Sequence, residues 1–327
     1  MIGKLGLAAA LFATSAAPQP ALRYAVLGAT PGPVGGFDYV SVDAPSGRVY
    51  VGRSFGVEVL SKGRFTTLLE RKGVAAVLPI GDRLMLSTNG DENSATLFDR
   101  FTGKVTADIP TGTEPDGAAF DGKSGLAFVM NGGSEDVTLI DVARAKAVGR
   151  IAVGGAPEGG VADGAGRFFL NIEDRNEIAV ISIAKRMLMR RYALARCIEP
   201  TGIAYDARAG LLISACHNGV AKLVDAATGR DRGTIRIGKG ADGSLFDAKR
   251  RIGFVPCIDG TLTVYRLDAT GKVTGVQHLK TRDGARTAAY DSRRNRLYAA
   301  RATVERDAKG RYLRAVRDFE ILTIGPR

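Results

Sequence analysis

Three features of the 327-residue sequence predict an all-β fold, a seven-bladed β-propeller of four-stranded antiparallel blades. A unit of about forty residues recurs along the chain, and each copy holds four short runs of alternating or continuous Val, Ile, Leu and Phe. Gly, Asp and Asn turns bound each run, which favours strands over helices. The composition agrees: 45% hydrophobic and 24% charged residues exclude a disordered chain, and 42 Gly suit a turn-rich one.

The repeat opens at Gly36, Val74, Asp116, Glu158, Thr201, Asp242 and Arg286, in steps of 38, 42, 42, 43, 41 and 44 residues. Its third copy reads as strands at 117–121, 126–131, 137–141 and 148–154. Asp-to-Gly turns such as Asp43–Gly47 and Asp206–Gly210 connect the first pair of strands, and segments such as 98–104 and 224–230 connect the last pair. Four strands every forty-odd residues is the arithmetic of a propeller blade. The last unit holds only three strands and ends at 319–324, while 23–28 resembles the missing fourth. Closure of the ring by that amino-terminal strand is therefore expected, because it removes the exposed sheet edges of an open ring. Residues 21–327 then form one propeller.

Residues 1–20 read as a secretory signal: Lys4, an apolar stretch from Leu5 to Ala13, then small residues, with cleavage expected between Ala16 and Ala21. The apolar stretch is too short to span a bilayer, and no later one approaches that length. A periplasmic or secreted monomer is expected. Export makes a disulfide meaningful among the three cysteines. Cys197 lies in a lengthened loop before blade five and Cys216 ends that blade's second strand, so they are the expected pair. The competing pair is Cys216–Cys257.

Aligning the units sets Asp38, Val74, Asp116, Glu158, Thr201, Asp242 and Arg286 at one level, at the top of the innermost strand. A second ring at the end of the second strand holds Ser54, Asn89, Asn131, Glu173, Cys216, Cys257 and Ala302. Both face the mouth of the central channel. The candidate ligand-binding residues are therefore Asp38, Arg53, Asn89, Asp116, Asn131, Glu158, Glu173, Glu199, His217, Asp242, Arg286 and Arg301. Convergent carboxylates and amides suit a hard cation such as Ca2+, with Asp38, Asp116, Glu158 and Asp242 as the candidate ligands. They also suit paired proton transfer, for which His217 and Glu173 are the candidates. The competing explanation is turn capping, which accounts well for Asp and Asn and poorly for Glu. Asp121, Asp163, Asp206, Asp247 and Asp291, at the opposite end of the innermost strands, are assigned to hairpin turns. With two His in the chain, and His278 on an outer strand, a multi-His metal centre is excluded.

The formal charge is +12, and the last unit supplies +6 of it. An insertion at 302–318 in that unit carries Arg306, Lys309, Arg311, Arg314 and Arg317 around Tyr312 and is expected to hang over the mouth.

The absence of Trp excludes WD40 and tryptophan-docking propellers. The segments NGGSEDVTLID, NIEDRNEIAVI, EPTGIAYD and GTLTVYRLDATGKV resemble the YVTN-type repeat of the YncE-like family, over residues 22–327. Ser61, in place of the turn Asp, and the loss of TGK from unit four depart from that repeat. The resemblance implies an exported bacterial seven-bladed propeller without a common catalytic residue set.

Two function classes follow. The expected one is a binding or scaffold protein with a small polar ligand, a cation or a periplasmic partner protein at the mouth. The alternative is a propeller lactonase or lyase using a divalent cation held by mouth carboxylates. Binding of nucleic acid or an anionic polymer through the basic last blade is a further alternative. It is disfavoured by export and by the lack of any nucleic-acid-binding motif. No cofactor is read from the sequence beyond that candidate cation.

Overall fold

A computed structural model describes residues 21–308 and 312–327. The signal-like segment 1–20 lies outside the described residues, as do Lys309 and Arg311 and the side chain of Tyr312. The described chain forms seven four-stranded antiparallel sheets with almost no helix, a seven-bladed β-propeller.

The innermost strands are Phe37–Asp43, Val74–Ile80, Pro115–Asp121, Pro157–Ala162, Pro200–Asp206, Leu245–Asp247 and Ala285–Asp291. All but the sixth open within one residue of the start read from the repeat. In blade six the strand was expected from Asp242 but opens at Leu245, with an isolated bridge between Ala241 and Cys257 above it. The cause is local. Pro256, on the facing strand, has no amide hydrogen to donate, and Gly243 lies against its ring, so the ladder breaks there.

Tyr24–Pro31 pairs antiparallel with Tyr312–Pro326 and supplies the outermost strand of the blade that contains the carboxyl terminus. The first and last parts of the chain thus share one sheet. Tyr24 is buried there, edge-on to Phe254 of blade six at 5.2 Å.

The hydrophobic core lies between blades. Second and third strands are buried on both faces, whereas outer strands alternate: Val273–Lys280 turns every second residue to solvent. Phe128 of blade three stacks on Phe168 of blade four at 4.1 Å, and Phe37 of blade one meets Phe319 of blade seven at 5.4 Å. At the end of the ring away from the channel mouth, the hairpin aspartates behave as their sequence context predicts. Asp121 accepts the amide of Ser124, Asp163 those of Ala165 and Arg167, and Asp291 those of Arg293 and Arg294.

The 302–318 insertion is a hairpin rather than a loop. Strands Arg296–Arg306 and Tyr312–Pro326 run on past the ends of the other blades' strands. Much of its positive charge is matched: Arg306 pairs with Asp283, Arg314 with Glu305, and Arg301 with Glu320.

Candidate functional site

At the top of six innermost strands the ladder slips by one residue, between Phe37 and Val40, Val74 and Val77, Pro115 and Ala118, Pro157 and Gly160, Pro200 and Ile203, and Ala285 and Thr287. Such bulges re-aim side chains. Here they accompany the ring residues at the channel axis. Glycines follow the ring position in blades three to six, and the packing explains two of them. A Cβ on Gly159 would fall 2.5 Å from the Thr201 carbonyl, and one on Gly202 would fall 2.3 Å from the backbone of Gly243. Neighbouring innermost strands therefore approach closely, and side chains bond across them. Thr287 donates to the Asp38 carbonyl at 2.6 Å, Thr88 to that of Asp116 at 2.5 Å, Asn171 to that of Thr201 at 2.9 Å and Thr201 to that of Ala241 at 2.7 Å.

A cavity of about 320 Å³ opens at this level, lined by Asp38, Tyr39, Asp116, Glu158, Glu173, Thr201, His217, Gly240, Asp242, Ile258, Arg286, Asp307 and Leu313. Six of the seven first-ring residues line it; the seventh, Val74, is buried. Glu173 and His217 join them. Glu199 stands beside His217, its Oε2 3.7 Å from Nδ1, and both line an adjoining cavity of about 680 Å³.

Other candidates sit elsewhere. Asn89 is fully buried and donates to Ser94 and Thr96, and Asn131 donates to Asp136 and Thr138, so these amides fix the strand-two to strand-three turns. Arg53 is fully buried, ion-paired with Glu58, hydrogen-bonded to the Gly36 and Pro33 carbonyls and stacked over Phe319 at 3.9 Å. Arg301 donates to the Asp283 and Asp318 carbonyls. None of these four lines either mouth cavity. Tyr39, Asp307 and Leu313 were missed in the sequence. The expected overhang of the insertion was the available signal for the last two, while Tyr39 gave none, because its place depends on the bulge.

The electrostatics of the cavity are one-sided. Among the described residues Arg286 is the one arginine lining it, buried, donating to Asp242 and, at 3.0 Å, to Asp38. Asp116, Glu158 and Asp242 touch the channel space but are otherwise enclosed by the blades. Desolvation, reinforced by the charges of Asp38 and Asp242, pushes the Asp116 carboxyl up to about 8. The same desolvation, with Asp116 and Glu173 nearby, holds Glu158 well above the carboxylate range. Asp242 rises less, to about 6, because Arg286 offsets its burial. Burial and this ring of acids also push the Tyr39 phenol well above its ordinary value. Like charges this confined repel one another, and a cation arriving among them relieves the repulsion. Among the described residues no three His, Cys, Asp or Glu side chains are grouped to hold a metal ion.

Cys197 and Cys216 form a disulfide with their Cα atoms 5.4 Å apart, tying the loop before blade five to the end of its second strand. Cys257 is a buried free thiol whose pKa burial raises far above the usual thiol range. It is not a nucleophile in this state.

No family model matches the chain, and no curated protein does. Among solved structures, a chain of "Crystal Structure of Mitotic Checkpoint Complex" superposes with a TM-score of 0.71 at 12% identity, over 92% of this chain and 95% of that one. At that identity the likeness establishes the propeller ring alone. Since 1811 solved chains are similar to this one, the fold chooses no activity.

Proposed function

We propose that this protein is an exported binding propeller whose channel mouth takes a small cationic ligand, an organic amine being the chemistry that fits. The observation that carries the reading is the cavity lining: Asp38, Asp116, Glu158, Glu173, Asp242 and Asp307 against Arg286. An ammonium group donates several hydrogen bonds and needs no fixed coordination geometry, so it suits carboxylates spaced around an axis. The resemblance of the repeats to the YncE-like family, the signal-like amino terminus and the disulfide support export. Among the described residues no helix is long and apolar enough to cross a membrane.

Calorimetric titration with a panel of mono-, di- and polyamines, matched against carboxylates and neutral sugars, tests the reading. Amines are expected to bind and the other classes not. The double substitution Asp116→Asn with Glu158→Gln is expected to weaken amine binding at least tenfold. Binding confined to anionic or neutral ligands overturns the proposal.

A further inference from the structure

The antiparallel order of the blades puts every turn between first and second strands, and every turn between third and fourth strands, on the face opposite the mouth. Most turn aspartates of that face point inward: Asp206 and Asp291 are fully buried and Asp121 and Asp247 nearly so, while Asp82 is exposed. The basic residues of the same turns point outward. Lys62, Lys104, Lys185, Arg208, Lys249 and Arg293 are all exposed, they come from six of the seven blades, and no ion pair involves them among the described residues. Neighbouring Arg144, Arg250 and Arg294 are by contrast tied to Asp141, Asp247 and Asp291. On the folded surface the exposed charges, drawn from six blades, form a belt around the far face. In the hairpin of the last unit Arg306 is paired with Asp283 and Arg314 with Glu305.

We infer that this far face docks on an anionic phospholipid surface, with the mouth turned away from the bilayer. Three observations favour a membrane over nucleic acid or another polymer. The charges lie around a whole face built of short hairpins, rather than along a groove that could track a strand. Two apolar side chains stand among them, Phe101 at 41% exposure and Met187 at 51%, where they would enter the headgroup region. Phe101 also lies beneath the guanidinium groups of Arg48 and Arg100, each 5.1 Å from its ring centre, so the exposed remainder of the ring stands within the charged belt. This inference does not rest on the reading of the mouth.

Co-sedimentation of the full chain with vesicles tests it. Vesicles of phosphatidylcholine containing about one-third phosphatidylglycerol are compared with pure phosphatidylcholine; any binding through an uncleaved apolar amino terminus is common to both. The anionic vesicles are expected to bind the protein far more tightly, and salt to reverse the difference. Combining Lys62→Ser, Lys104→Ser, Lys185→Ser and Lys249→Ser is expected to lose about fivefold per charge, several hundredfold in all. The matching Lys→Arg set is expected to bind like the wild type, and Asp116→Asn to leave vesicle binding unchanged. Equal binding to neutral and anionic vesicles, or an undiminished quadruple Ser variant, overturns the inference. So does tight binding to heparin or duplex DNA with no binding to anionic vesicles. Should the quadruple variant fail to fold, the lipid comparison and salt titration on the wild type still decide.

Discussion

Asp116→Asn is expected to stabilise the protein, by an amount that grows as pH rises above about 4. In the fold the Asp116 carboxyl is held at about 8 against an ordinary 3.8. Below pH 3.8 both states keep the proton and this group contributes no pH dependence. Between 3.8 and 8 the unfolded chain ionises while the folded one retains its proton, so stability falls as pH rises. At about 1.4 kcal/mol for each tenfold, the loss reaches roughly 4 kcal/mol by pH 7 as an upper bound. Water in the channel and sharing of the proton with Glu158 reduce that to about 2 kcal/mol, or roughly 4 °C for a chain of this size. Asparagine keeps the shape and abolishes the titration. Thermal melts of both proteins from pH 4 to 8.5 are the assay. Melting points that coincide near pH 4 and diverge progressively from there to about pH 8, with the variant higher, are expected. A variant that is equal or lower at pH 8 refutes the argument that desolvation and neighbouring acids confine this carboxyl.

Four further outcomes follow from the same structure. Arg286→Ala leaves Asp242 and Asp38 without their shared cation, so a loss of about 3 kcal/mol or more at pH 7 is expected. That loss shrinks near pH 4.5 as Asp242 takes up its proton, which melts at the two pH values will show. Reduction, or Cys197→Ser with Cys216→Ser, opens a bridge spanning 19 residues and should cost about 3 kcal/mol. Cys257 should resist thiol reagents until the chain unfolds, as a colorimetric thiol count can follow. Phe128→Ala removes one half of the Phe128–Phe168 stack and is expected to cost about 3–5 kcal/mol by denaturant titration, leaving the mouth's ligand preference unchanged.

Much of the site was legible without coordinates because blades repeat. Once the period was found, residues at equal phase had to lie at equal height, which brought Asp38, Asp116, Glu158, Asp242 and Arg286 to one cavity from separations of tens of residues. The same phase argument gave the second ring its height but not its direction. Asn89 and Asn131 turn into the blade because Ser94, Thr96, Asp136 and Thr138 offer them partners there. Tyr39 reaches the cavity through a bulge that alternation would not place.

The sequence by itself determined the number of blades and the start of nearly every innermost strand, because these follow from a local period and local turn chemistry, while the choice between Cys197–Cys216 and Cys216–Cys257 was settled by the fold. Tertiary structure decided which charges count. Arg286 became the counter-ion of two ring aspartates, and Arg306 and Arg314 of the last blade's hairpin were tied to Asp283 and Glu305. The excess positive charge emerged on the face opposite the mouth. Electrostatic energy depends on distance and enclosure, and neither is a property of position along the chain.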